Sequence, residues 1–229
     1  MKPVVHNAFV TGHCNLACSF CFSARIREGV PDNPDAVLSE IIRVGAPTVR
    51  LCGGEPLTEF ERVQAWVQQL PDRQIVVNTN GALLTHAVAD WANDSGVTIQ
   101  LSVDGYAQGE RPLTALNLEP IKRVKRLWVN QILFHPEDAE PIEKALLPSR
   151  HEVGLLYGQR AIEPEALAAI KNAATGRFLA RIDPGSYNEV TTHHNGKTYH
   201  SNLNAETDHC VRTRDLIGEA AWITLRNRC

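Results

Sequence analysis

Thr11–Phe22 reads T-G-H-C-N-L-A-C-S-F-C-F, which places Cys14, Cys18 and Cys21 at C-x3-C-x2-C spacing. Three thiols this close together are hard to explain as core residues, because two would serve packing equally well. They are also one short of the four ligands that close a structural zinc site. Three thiolates and one vacancy suit a cubane iron–sulfur cluster whose fourth iron stays open for chemistry. A structural zinc site completed by His13 or a distant ligand is the competing reading.

Outward from this loop, the chain alternates strands and helices. Val4–Thr11 is apolar and β-branched, and as a first strand it delivers Cys14 just beyond its C-terminal end. A helix is expected from Asn33-Pro34 to Val44, with Val37, Leu38, Ile41 and Ile42 on one face. Thr48–Cys52 is a second strand ending in Gly53-Gly54-Glu55-Pro56, and Phe60–Leu70 is helical, with Val63, Trp66, Val67 and Leu70 at three- and four-residue spacing. Gln74–Val77 is a third strand running into Asn78-Thr79-Asn80-Gly81, followed by a helix over His86–Asn93.

Val97–Asp104 is the fourth strand. Ile99, Leu101 and Val103 share one face, and Gln100, Ser102 and Asp104 the other. Where helices cover the outside, that polar face points inward. Arg126–Phe134 and Glu152–Tyr157 supply two more strands around a helix-like Glu137–Leu147. Beyond them come a helix over Glu163–Ala174, a strand over Arg177–Ile182, and a hairpin in which Val190–His194 and Lys197–Ser201 flank Asn195-Gly196.

Six strand-then-helix units, with no repeat or linker dividing them, predict an α/β fold with a parallel sheet and right-handed crossovers. The expected architecture is a partial (β/α)6 TIM-like barrel over residues 1–158. A small C-terminal appendage, residues 159–229, is expected to cover the barrel mouth with a helix and a hairpin. In such barrels the site lies at the C-terminal strand ends. The cysteine loop, Gly53-Gly54-Glu55, Asn78 and Asn80, Ser102 and Asp104, Asn130, and the Gly154–Gly158 stretch all fall at that one rim.

The bulk properties narrow the class. The chain has 229 residues, 21% of them charged, and a net charge of −3, which gives no general electrostatic case for nucleic acid or an anionic membrane. No secretory signal or bilayer-spanning run is apparent. Six cysteines are too few and too clustered for a disulfide scaffold, and an open cluster needs a reducing compartment, so a cytoplasmic location without a membrane partner is expected.

The cysteine spacing, with Phe20 just before the third cysteine, resembles the signature of the radical S-adenosylmethionine (SAM) superfamily, and the resemblance covers residues 4–158. It implies that Cys14, Cys18 and Cys21 each bind one iron of a [4Fe–4S] cluster, and that the fourth iron chelates the amino nitrogen and carboxylate of SAM. Gly53, Gly54 and Glu55 match the glycine-rich segment whose backbone holds the methionine amino group. Asn78, Asn80, Ser102 and Asp104 are placed like the polar strand ends that hold the methionine carboxylate and the ribose, and Asn130 in strand five is a further cofactor-binding candidate. Backbone at Phe20 and side chains near Leu155 and Leu156 resemble the adenine contacts, although the acidic residue often found after the sixth strand is missing. The resemblance further implies an external one-electron reductant, flavodoxin- or ferredoxin-like. It also implies cleavage of SAM to a 5′-deoxyadenosyl radical that takes hydrogen from a substrate C–H bond. The difficult chemistry then belongs to the cofactors, and the protein positions the substrate.

Other residues carry weaker signals. Cys52 reads as a small buried hydrophobe, Trp66, Trp91 and Trp128 as core, and Lys122, Arg123, Lys125 and Arg126 as a solvated face at the opposite rim. His193, His194, His200, His209, Cys210 and Cys229 could suggest a second metal, but hairpin histidines are usually surface residues. Cys210 is either incidental or a hydrogen-atom donor to a carbon-centred radical. The open barrel suits a large or tethered substrate: a peptide or protein (including a glycyl-radical enzyme to be activated), a deazapurine-type small molecule, or a base in nucleic acid. Size and layout resemble phage-type radical SAM isomerases that rearrange amino-acid-modified thymidines in DNA, which implies a DNA-modifying isomerase. A non-catalytic iron–sulfur or zinc module is the reading from a different class.

Overall fold

β1 (Val5–Thr11) is buried from His6 onward although it carries His6, Asn7 and Thr11. A strand covered on both faces must satisfy such polar atoms internally, and this requirement shapes the sheet. The computed structural model of the chain describes residues 5–19, 21, 29–132, 139–146, 150–154, 179–181 and 189–200. The Glu163–Ala174 helix and the stretch Asp208–Cys229 lie outside the described residues.

After β1 come α1 (Pro34–Val44), β2 (Thr48–Gly53), a 3-10 turn (Pro56–Glu59), α2 (Phe60–Gln69), β3 (Gln74–Thr79), α3 (His86–Asp94) and β4 (Thr98–Val103). A second 3-10 turn (Leu113–Ala115), α4 (Leu118–Arg123), β5 (Leu127–Ile132), α5 (Ala139–Leu146) and β6 (Arg150–Gly154) follow, then β7 (Leu179–Arg181), β8 (Glu189–Thr192) and β9 (Thr198–His200). The strands form one sheet in the order β7-β6-β5-β4-β3-β2-β1-β8-β9. β1–β6 are the parallel α/β array of a partial barrel. Register puts Ala8, Leu51, Val77, Ile99 and Leu127 in one row across β1–β5, and all five are buried in the core.

α1 starts and stops as its residues dictate. The Asn33 side chain accepts from Ala36 N, Pro34 occupies the first turn, and Gly45 ends the helix in the left-handed region at φ 66°. Val37 and Ile41 are buried, but Ile42 is 55% exposed. The apolar stripe of α1 runs through 37 and 41, and a residue one position on is rotated away from it.

The C-terminal segment departs from expectation. β7 pairs parallel with β6, while β8 pairs parallel with β1 at the other side of the barrel strands. The expected hairpin does form, with β9 antiparallel to β8 and Gly196 at φ 84°. It extends the sheet beside β1, however, where it was expected to cover the mouth. The polar residues of β1 explain the pairing. His6 Nε2 and Thr192 Oγ1 lie 2.8 Å apart, and Thr192 Oγ1 lies 2.8 Å from Thr198 Oγ1, which in turn donates to Glu40 at 2.9 Å.

Candidate cluster and SAM site

Cys14, Cys18 and Cys21 are half-buried thiols outside any disulfide, in the loop that leaves β1. Cys21 N donates to Cys18 O at 3.0 Å, so the last two close a turn. Burial pushes the Cys18 thiol up, and the Arg111 guanidinium opposes it. The loop is tied to three neighbouring strand ends. Gly54 N donates to Thr11 O at 2.9 Å and Glu55 N to His13 O at 2.8 Å, at the end of β2. Asn80 Nδ2 donates to Asn15 Oδ1 at 2.8 Å, beyond β3. Beyond β4, Ser19 N donates to the Glu110 carboxylate at 2.8 and 3.0 Å, and Ser19 Oγ donates to it as well.

The glycine-rich segment has physical reasons for its composition. Gly53 has φ +127°, and a Cβ there would stand 2.5 Å from Thr11 O, so only glycine lets β2 approach the cysteine loop this closely. Glu55 is 1% exposed. Its Oε1 accepts from Leu57 N at 3.0 Å and Thr79 Oγ1 at 2.7 Å, and its Oε2 accepts from Asn80 N at 2.7 Å. Burial raises its pKa, while those hydrogen bonds and the charge of Arg111 work the other way. Glu55 thus fastens the end of β2 to the end of β3 from beneath.

Asn78 Oδ1 accepts from Ser102 Oγ at 2.8 Å, and register sets Ser102 beside Asn130. Three of the expected polar residues therefore share one band across β3, β4 and β5. Asp104 stands differently. Its carboxylate, fully buried, pairs with Arg111 Nε at 2.9 Å and accepts from Glu110 N and Arg111 N, each at 2.9 Å. A carboxylate holding three donors is the anchor of the 105–112 loop, the loop that presents Glu110 to Ser19. Phe20, Leu155, Leu156 and Cys210 lie outside the described residues.

Several residues at this rim carried no signal in the sequence. Asp32 Oδ2 accepts from Thr11 Oγ1 at 2.6 Å, and its Oδ1 accepts from Gly12 N at 2.8 Å. Arg62 Nη1 reaches the same carboxylate at 3.3 Å and Val10 O at 2.8 Å. Burial raises the Asp32 pKa, but the hydrogen bonds from Thr11, Gly12 and Arg62 and the nearby His194 together outweigh it and hold the carboxyl below its usual range. His193 and His194, expected at the surface, are 5% and 1% exposed, because the parallel pairing of β8 brings its C-terminal end to the cysteine rim. His193 stacks on Phe9 with ring centroids 4.9 Å apart. The basic cluster sits as expected before β5, where Arg123 pairs with Asp90 and Arg126 caps Gly96 O at 2.8 Å.

The residues present fit an iron–sulfur cluster. The three cysteines are reduced, accessible and carried by one braced loop. Among the described residues no three His, Cys, Asp or Glu side chains converge on one point, and a cubane does not ask them to, since each thiolate binds a different iron. The family model described as the Radical SAM superfamily matches residues 9–146, a span from within β1 to the end of α5 that includes the cysteine loop. The chain belongs to the radical SAM superfamily. Its cofactors are accordingly SAM and a [4Fe–4S] cluster.

Curated relatives include GTP 3′,8-cyclase of Cronobacter sakazakii, 37% identical over 106 residues, which is 42% of this chain and 32% of that protein. The GTP 3′,8-cyclase of Yersinia pestis is 38% identical over 108 residues, with the same two shares of 42% and 32%. The chain thus spans about a third of the length of these relatives. Among solved structures, native anSMEcpe with bound AdoMet and Cp18Cys peptide matches at TM-score 0.64 and 13% identity, covering 95% of this chain and 83% of that one. SuiB of Streptococcus suis matches at TM-score 0.65 and 13% identity, covering 93% and 64%. These likenesses carry the fold. Among the described residues no helix is long and apolar enough to cross a membrane.

Proposed function

We propose that Cys14, Cys18 and Cys21 ligate the cluster, that the backbone of Gly53–Glu55 receives the methionine end of SAM, and that the band of Asn78, Ser102 and Asn130, with Asn80 beyond β3, receives its polar remainder. The observation carrying this reading is the direct hydrogen bonding of the cysteine loop to the ends of β2 and β3, which makes the two motifs one rigid unit. When bound, reduced cluster and SAM supply a 5′-deoxyadenosyl radical able to take a hydrogen atom from an unactivated C–H bond. The protein's own part is to hold and orient. Gly53 sets the close approach, Glu55 fixes the Asn80 backbone, and Ser102 aligns Asn78. Electrons come from an external one-electron reductant.

For the substrate, the reading is an isomerisation on an amino-acid-modified base in DNA. The resemblance to phage-type isomerases supports it, as does likeness in sequence to enzymes named for a nucleotide. The likeness to the peptide-bound structure favours peptide modification as the second reading. The test is anaerobic turnover with modified DNA and with peptides, following 5′-deoxyadenosine and product mass. Unchanged substrate mass with DNA supports the isomerase. A product of altered mass, or turnover only with peptide, overturns it.

A further inference from the structure

We propose that His194 and Asp32 are positioning residues of the cluster site: they fix Gly12 from the β8 side and so set the path of the chain into Cys14. The inference rests on the reading that Cys14 binds the cluster and Gly53–Glu55 binds SAM. Asp32 grips two successive residues at the start of the cysteine loop, through Thr11 Oγ1 at 2.6 Å and Gly12 N at 2.8 Å. His194 Nδ1 stands 3.1 Å from Asp32 Oδ1. That is an ion-pair distance, but the alignment is not that of a hydrogen bond, and neither ring nitrogen has a hydrogen-bond partner among the described residues. The imidazole lies against Gly12, where a Cβ would come within 3.1 Å of Cε1 and 3.3 Å of Nε2.

Burying an imidazole with poorly satisfied nitrogens costs stability, so stability alone does not explain a histidine here. Its backbone is also fixed, because His194 O accepts from Asn33 N at 2.6 Å, the residue next to Asp32. On the other side of Gly12, His13 O accepts from Glu55 N at 2.8 Å. A shift of Gly12 therefore moves Cys14 and the SAM-facing backbone together. The C-terminal strand pair thereby gauges the geometry between cluster and SAM.

The experiment compares wild type, His194→Phe, His194→Gln, Asp32→Asn and Gly12→Ala after anaerobic reconstitution. It measures iron per chain, the SAM dissociation constant and the SAM-induced change in the EPR spectrum of the reduced cluster. His194→Phe and Asp32→Asn should raise the SAM dissociation constant fivefold or more and diminish the EPR change, with His194→Gln closer to wild type. Unchanged affinity and spectra in His194→Phe and Asp32→Asn overturn the proposal. If those two do not fold, Gly12→Ala decides, since its methyl presses on the ring: a fivefold weaker SAM affinity supports the proposal and an unchanged one overturns it. A wild type showing neither cluster nor SAM response would instead sink the functional reading beneath it.

Discussion

Gly53 stands so close to Thr11 that a Cβ at Gly53 would lie 2.5 Å from the Thr11 carbonyl oxygen, with φ already at +127°. Gly53→Ala must therefore both strain the backbone and push β2 off the cysteine loop, at a cost of about 3 kcal/mol or more. Gly96 is a useful comparison, being also at positive φ (+68°) but with, among the described residues, only Arg126 Nη1 nearby, at 3.8 Å. Gly96→Ala should cost about 1 kcal/mol. Thermal melting of both variants checks the difference, and equal losses would show that the close approach does not matter.

Glu55 offers two carboxylate oxygens to three donors. Glutamine keeps the shape but supplies one oxygen, so at least one donor faces an amide NH2. Glu55→Gln is expected to cost about 1–3 kcal/mol and to weaken SAM binding through the displaced Asn80, with the cluster still loaded. Equilibrium dialysis with SAM on the iron-loaded variant measures this, and wild-type affinity would disconnect Glu55 from the SAM site.

Among the described residues, the 105–112 loop braces the cluster loop through exposed hydrogen bonds from Ser19 to Glu110. Removing an exposed contact should change stability by less than about 0.5 kcal/mol, yet Glu110→Ala should speed loss of the cluster in air several-fold. Asp104→Asn, which leaves Arg111 beside a buried neutral group, should instead destabilise the fold by about 3 kcal/mol. Bleaching of the cluster absorbance and urea melts separate the two effects.

His6 supplies a pH signature. It is fully buried, and its pKa is lowered to about 4 by that burial. In the unfolded chain it titrates near 6.5, so as pH falls from about 6.5 towards 4 the unfolded state takes up the proton first. Stability must then drop across that window, by up to about 3 kcal/mol, and level off below it. His6→Gln should flatten the slope relative to wild type in parallel urea titrations, and identical slopes would contradict the assignment.

The barrel strands were legible because their periodicity and the turn residues after them reported the same alternation, and Cys14, Gly53, Asn80 and Ser102 landed at the rim where strand order put them. Asn33, Pro34 and Gly45 likewise announced the bounds of α1 as caps. The pairing of β8 with β1 was not legible. It depends on His6 and Asn7 meeting Thr192 and Thr191 across more than 180 positions of sequence, and no local pattern encodes such a match. For the same reason His193 and His194 looked like surface residues of a hairpin. Asp104 shows a limit of another kind: a carboxylate at a strand end carries the same sequence signal whether it faces a ligand or holds its own loop, as this one does through Arg111.

The most direct test of the account is the reduced, anaerobically reconstituted protein with SAM labelled at its amino nitrogen and carboxylate oxygen, observed by electron–nuclear double resonance. The account predicts hyperfine coupling to both labels in the wild type, and loss of both when Cys14, Cys18 or Cys21 is replaced by alanine. A wild-type cluster that shows no coupling to either label, or a Cys18→Ala protein that keeps cluster and coupling alike, would contradict it.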